Sequence, residues 1–270
     1  MVPDQHTVSS ADGVSIAYDV CGAGASALVF VHGWSGRRAH WEQQLDYFAR
    51  NHTVVRIDLA GHGASGVDRQ QWTVAAFAAD VVAVCDALAL DSVILIGHSL
   101  GGSVIVLAAQ QLVDRVVGLI GIDTWSSLGV RSTAEEIGAS VLLPDMRADY
   151  EAASRRFAQL MCGPSADSVI ATRISDEVAT MPPHIAISIL DEAIRQGPED
   201  IEQGLLAMDV PLSAISSATF RPKDASVLAS FGIENVVVPG TGHYLMLEQP
   251  ATFNRALATA VARSTGTVPH

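Results

Sequence analysis

Gly97-His98-Ser99-Leu100-Gly101 sets a serine between two glycines, with an apolar run over 93–96 before it and a second over 104–109 after it. The first run suits a strand buried on both faces and the second a buried helix. In a strand-turn-helix setting, G-x-S-x-G holds its serine in a strained turn. The hydroxyl then stands exposed at the N-terminus of a helix, where the dipole favours developing negative charge. A serine hydroxyl is weakly nucleophilic on its own, so this chemistry needs a base within hydrogen-bond reach. Gly240-Thr241-Gly242-His243 supplies one, because an unperturbed imidazole titrates near ~6.5 and can take and return a proton close to neutral pH. His32 and His62 lie in glycine-flanked turns that suit rings bonded to backbone, and His98 is expected to point away from its neighbour Ser99.

The elements that must position these groups alternate. Two strands are expected within 6–20 around Ala11-Asp12-Gly13, a third over 27–31 and a fourth over 53–59. A helix is expected over 38–49, with Trp41, Leu45 and Phe48 on its buried side. Thr73 is placed to cap a helix over 74–88, with Asp80 and Asp86 on its wetter side. A strand over 116–122 ends at Asp123-Thr124-Trp125. This strand-helix rhythm with short loops predicts a mainly parallel sheet covered by helices on both faces. It stops at 126. Between 126 and 208 the pattern reads as helices only, over 135–143, 149–161, 167–180, 184–195 and 199–208, separated by Pro and Gly-Pro breaks. Strands over 210–216 and 235–238 and a terminal helix over 250–263 resume the rhythm. In an open parallel sheet ligands bind at the carboxyl ends of the strands, and Trp34, Ser99, Asp123 and His243 all stand at such ends.

His32-Gly33 after a strand, the Gly97–Gly101 elbow, Gly240-Thr241-Gly242-His243 and the loop Asp58-Leu59-Ala60-Gly61-His62-Gly63-Ala64-Ser65 together resemble the α/β-hydrolase superfamily. The resemblance covers nearly the whole chain. It implies a mostly parallel eight-stranded sheet flanked by helices, with a core from 1–125 and 209–270 and a helical cap, 126–208, inserted after the sixth strand. It also implies Ser99 as nucleophile, His243 as base and the backbone amides of Trp34 and Leu100 as the oxyanion hole. The superfamily's usual acid follows the strand after the cap. Here that loop, 216–224, has no acid before Asp224, which reads as the first residue of a helix. Asp123, at the position used by a minority of the superfamily, is therefore the expected acid and Asp224 the alternative. A buried cap for the Thr124-Trp125 turn is the plainer role for Asp123.

A serine triad with an oxyanion hole suits hydrolysis of a carboxylic ester or lactone and needs no cofactor or metal. The cap's Met146, Phe157, Met161 and Met181, with Trp34 and with Trp125 at its root, point to a small-to-medium apolar substrate. A cofactor-free dioxygenase of the same fold and a carbon–carbon bond hydrolase are the alternatives, and a ligand receptor is a third. The 270-residue chain is 49% hydrophobic and carries a net charge of −13 without a Lys/Arg cluster, which weighs against nucleic-acid and anionic-membrane partners. The start of the chain has no basic, apolar leader and the three cysteines are scattered, so a cytoplasmic protein with free thiols is expected.

Overall fold

The apolar runs pair into one eight-stranded sheet in the computed structural model, which describes residues 3–129, 142–164, 166–196, 199–220 and 225–266. The strands are β1 (Asp4–Ser9), β2 (Ser15–Cys21), β3 (Ala27–Val31), β4 (Thr53–Ile57), β5 (Val93–His98), β6 (Val116–Ile122), β7 (Leu212–Ser217) and β8 (Ile233–Val238). Their order is β1-β2-β4-β3-β5-β6-β7-β8. The β1–β2 and β2–β4 pairs are antiparallel and the rest are parallel, so the predicted mainly parallel sheet is correct.

Strand alternation divides the core into two layers. Val29, Leu95 and Leu119 pack with α2 (Val74–Ala87) and α3 (Leu100–Leu112) on one face. Phe30, Ile96 and Ile120 pack with α1 (Glu42–Phe48) and the terminal helix on the other. Each such fully buried side chain contributes about 1.5–3 kcal/mol of transfer free energy. The helix expected over 38–49 is a 3-10 turn, Arg38–Trp41, running into α1, and Thr73 caps α2 by accepting from Ala76 N at 3.1 Å.

Asp80 corrects the reading of α2. It is fully buried, and its carboxylate accepts from Arg69, from Ser10 Oγ at 2.6 Å and from Ala60 N at 3.2 Å. An acid can occupy the inner face of a helix when a guanidinium and local donors replace water; helical periodicity alone does not reveal such partners.

Between β6 and β7 the described chain is helical, as predicted: α4 (Leu142–Ala148), α5 (Tyr150–Met161), α6 (Ser168–Ala179), α7 (Pro183–Gln196) and α8 (Glu199–Leu206). Asp149 and Asp167 cap α5 and α6, accepting from Ala152 N and Val169 N. Most of the helix expected over 135–143 lies outside the described residues. After β7 come α9 (Ala225–Ser230), the short α10 (Leu245–Glu248) and α11 (Pro250–Thr265). Sequence patterning missed α10, which is a single turn.

Register places the site. Val31 pairs with Gly97 and His98 with Ile122, while Ile122 pairs with Ile215 and Ser217 with Val238. The carboxyl ends of β3, β5, β6, β7 and β8 therefore lie side by side, and the residues that follow them share one edge.

Candidate active site

Ser99 is the turn residue between β5 and α3, with φ 52° and ψ −118°. A non-glycine residue held there stores about 1–3 kcal/mol of backbone strain, which the flanking strand and helix sustain. Ser99 N donates to Ile122 O at 3.0 Å and Gly102 N to Ser99 O at 2.9 Å. A Cβ on Gly97 would lie 2.2 Å from Gly101 O, so the elbow closes only because that position is bare. The hydroxyl forms no hydrogen bond among the described residues and faces a cavity that His243 also lines. Catalytic hydrogen bonds are often loose before substrate arrives.

Asp123 follows β6 and also has a positive φ, 46°. That turn directs its side chain along the edge, where Oδ2 accepts from His243 Nδ1 at 2.8 Å. The carboxylate is held from its far side as well. Ser217 N donates to Oδ1 at 2.7 Å and Ser217 Oγ to Oδ2 at 3.1 Å. With Nδ1–H on the carboxylate, Nε2 is the imidazole nitrogen free to accept a proton. Asp123 is buried and the His243 side chain is 14% exposed. Asp224 lies outside the described residues. Sequence reasoning missed Ser217. Its one signal was position, since it ends the strand after which the superfamily's usual acid stands.

His32, His62 and His98 each bond to backbone. His32 Nδ1 donates to Gly33 O at 2.8 Å and Nε2 accepts from Leu59 N at 3.1 Å. His62 Nδ1 donates to Ala60 O at 2.9 Å and Nε2 accepts from Ser35 N at 3.2 Å. Burial pushes both down to about 3, so they are neutral near pH 7 and act as fixed struts for the loop 33–36. His98 Nε2 donates to His243 O at 2.8 Å, and burial, then the neighbouring His243, holds it well below the usual imidazole range. His98 lines the same cavity as the serine, its ring centroid 4.5 Å from that of His243, and it anchors the His243 main chain.

That strutted loop runs close past the elbow. A Cβ on Gly33 would sit 2.9 Å from Ser99 Cβ, a contact only glycine permits. Trp34 follows Gly33 in that loop and Leu100 follows Ser99; both line the cavity, and neither main-chain amide donates a hydrogen bond among the described residues. Unpaired N–H groups that face a cavity can bind an oxyanion.

The cavity, about 260 Å³, is lined by Trp34, Leu100, Phe157, Leu190, Ala193 and Tyr244 around Ser99, Ser103, His98 and His243. Of the residues expected to line it, Trp34 and Phe157 do so, the Trp34 indole N–H fixed on Ala186 O at 2.8 Å and its ring edge-on to Phe157. The other four are placed elsewhere. Trp125 is buried against α3 and donates to Gly102 O. Met146 is core, Met181 accepts from Ser35 Oγ, and Met161 packs against the terminal-helix layer. These residues join the insertion to the sheet, a use of apolar side chains that composition cannot separate from pocket lining. Among the described residues no cluster of three His, Cys, Asp or Glu could hold a metal ion, and no helix is long and apolar enough to cross a membrane.

Comparison with known proteins bears on the family and the fold. A putative carbamate hydrolase of Variovorax paradoxus is 29% identical over 91% of this chain and 96% of its own length. The dihydrolipoyllysine-residue acetyltransferase component of an acetoin-cleaving system from Cupriavidus necator is 35% identical over 44% of this chain; the match spans 31% of that protein, about a third. An esterase structure from Thermogutta terrifontis superposes with a TM-score of 0.81 at 23% identity, covering 97% of this chain and 99% of the other, which shows a shared fold. The sequence profile of the Alpha/beta hydrolase family matches residues 28–256, and the chain belongs to that family.

Proposed function

We propose that the chain hydrolyses a carboxylic ester or lactone with a small-to-medium, largely apolar acyl group, through an acyl-enzyme on Ser99. The observation that carries this reading is the 2.8 Å contact of His243 Nδ1 with buried Asp123, in the same cavity as a serine held at positive φ. His243 Nε2 takes the Ser99 proton as Oγ attacks the acyl carbon, and the Trp34 and Leu100 amides stabilise the oxyanion. The imidazolium then protonates the leaving alkoxide. Water, deprotonated by His243, releases the acid and restores the serine. Asp123 keeps Nδ1 protonated and stabilises the imidazolium, while Ser217 holds the carboxylate in place.

The cavity argues for the substrate class. At about 260 Å³ it falls just below the ~300–1,000 Å³ of ordinary ligand pockets, which favours a short acyl chain. Among the described residues no Lys, Arg, Asp or Glu lines it, which favours an uncharged acyl group. We assign the helical insertion, 126–208, as a lid that supplies the apolar wall through Phe157, Leu190 and Ala193. A nitrophenyl-ester series from acetate to octanoate tests the reading. Turnover should peak at short chains, and a fluorophosphonate probe should label the protein but not its Ser99→Ala variant. Absence of both labelling and ester or lactone turnover would overturn the assignment.

A further inference from the structure

His243 is gripped by its backbone as well as by its ring. Its N–H donates to Met161 O, at the end of α5 in the insertion, at 2.7 Å, and its carbonyl accepts from His98 Nε2. Five residues on, at the end of α10, the Glu248 carboxylate sits between the His243 loop and the insertion. Its Oε2 accepts from Gly242 N at 2.8 Å and from Gly163 N at 3.1 Å, and its Oε1 accepts from Tyr244 N at 3.3 Å. One carboxylate thus binds the amides on both sides of His243 together with an amide of the insertion. Charge-assisted bonds of this kind are about twice as strong as neutral ones.

The two segments also meet backbone to backbone. A Cβ on Gly163 would lie 2.3 Å from Gly242 N, and a Cβ on Gly242 would lie 2.3 Å from Met161 O. Neither Gly163 nor Glu248 lines the cavity at Ser99. Their contacts lead to the segment that bears His243.

We propose that Glu248 is a positioning residue that clamps the base-bearing loop to the insertion, so that the seating of the insertion at Gly163 sets the aim of His243. The inference rests on the reading of His243 as the base. The insertion is then more than a cover over the cavity, because lifting its α5 end breaks the two bonds that tie it to the base-bearing loop: Met161 O with the His243 N–H, and the Gly163 N–H with the Glu248 carboxylate. Misplacement of a catalytic group by about 1 Å costs on the order of 10²-fold in rate.

The test compares Glu248→Ala, Glu248→Gln and Gly163→Ala, each alone and combined with His243→Ala. Readouts are kcat and KM on a short nitrophenyl ester per mole of folded protein, with Tm alongside. Glu248→Ala and Gly163→Ala should lower kcat about 10- to 100-fold with KM changed less than about threefold. Glu248→Gln, which keeps one acceptor oxygen, should recover part of the loss. In the His243→Ala background none of the three should lower the residual rate further, since the base they aim is gone. An unchanged kcat alongside a lowered Tm, or the same rate loss with and without His243, would overturn the inference and leave Glu248 as a structural cap. If Glu248→Ala does not fold, Glu248→Gln and Gly163→Ala decide the question. A His243→Ala variant with full activity would overturn the base assignment itself, a result distinguishable from failure of the clamp.

Discussion

The sheet edge and the helical insertion build opposite walls of one cavity by different means. At the edge, position comes from the main chain. Ser99 and Asp123 hold positive φ at the ends of adjacent parallel strands, and His32 and His62 spend both ring nitrogens on backbone groups. Side chains from β3, β5 and β6 around it are fully buried. In the insertion, position comes from side chains on amphipathic helices. Many of its ion pairs are exposed, such as Arg155 with Asp176 and Arg156 with Asp145. Solvent screening and side-chain entropy leave such exposed pairs little net stabilisation. The stronger ties run inward, from Trp34 to Ala186 O and from buried His40 to Glu177. The proposed function puts chemistry on the wall whose geometry is fixed by register, and substrate fit on the wall whose side chains can change without moving a strand.

Substitutions on the two walls should therefore separate cleanly. Loss of the base has the largest expected effect. His243→Ala should cut kcat by roughly 10⁴- to 10⁶-fold, and Asp123→Asn by about 10⁴-fold, with Tm nearly unchanged for His243→Ala. If Asp224→Asn is inactive while Asp123→Asn turns over normally, the acid has been assigned to the wrong strand end. Next comes Gly33→Ala, which pushes the loop bearing the Trp34 amide off the Ser99 Cβ and should lower kcat about 10²-fold, the scale of one oxyanion donor. On the insertion wall, Phe157→Ala should leave kcat on the preferred ester within a few-fold. Steady-state assays should show optimum chain length moving up and kcat/KM for the shortest ester falling about tenfold. A collapse of kcat in that variant would erase the distinction between the walls.

The smallest effect is read in stability against pH. His32 and His62 are depressed by burial from 6.5 to about 3, so the unfolded chain binds protons that the folded one refuses as pH drops through that interval. Stability tied to the sheet edge is therefore complete above about 6.5 and is lost progressively towards about 3. Burial raises Glu177, but the His40 hydrogen bond and nearby arginines outweigh it and lower the group from 4.5 to about 2. Its contribution is present above 4.5 and is lost as pH falls towards about 2. Thermal melts across pH should show His62→Gln flattening the upper window and Glu177→Gln only the lower one. Identical slopes in both variants would contradict the separation.

Much of the core architecture is legible in the sequence because strands buried on both faces leave continuous apolar runs, and turns leave glycine and proline. The Ser99 elbow and the position of Asp123 at a strand end follow from those patterns. Asp80, Ser217 and Glu248 do not. Each acts through partners well separated in the chain, 11 to 70 residues for Asp80, 94 for Ser217 and 85 for the Glu248 bond to Gly163, and an acid or a serine looks the same in sequence whether solvated or buried against donors. The methionines of the insertion fail for a related reason. Apolar type specifies burial, and only packing specifies whether the buried surface faces substrate or protein.

The chain's local chemistry determined by itself the strand-turn-helix at Ser99, the parallel sheet and the helical run between β6 and β7, since these rest on periodicity and steric limits within a few residues. Tertiary structure alone decided that Asp123 meets His243, that His98 and Met161 hold the His243 backbone from opposite sides, and that Phe157, Leu190 and Ala193 close the cavity. Those contacts depend on which strand ends come to lie side by side and where the insertion seats on them, and both are set by packing over the whole molecule.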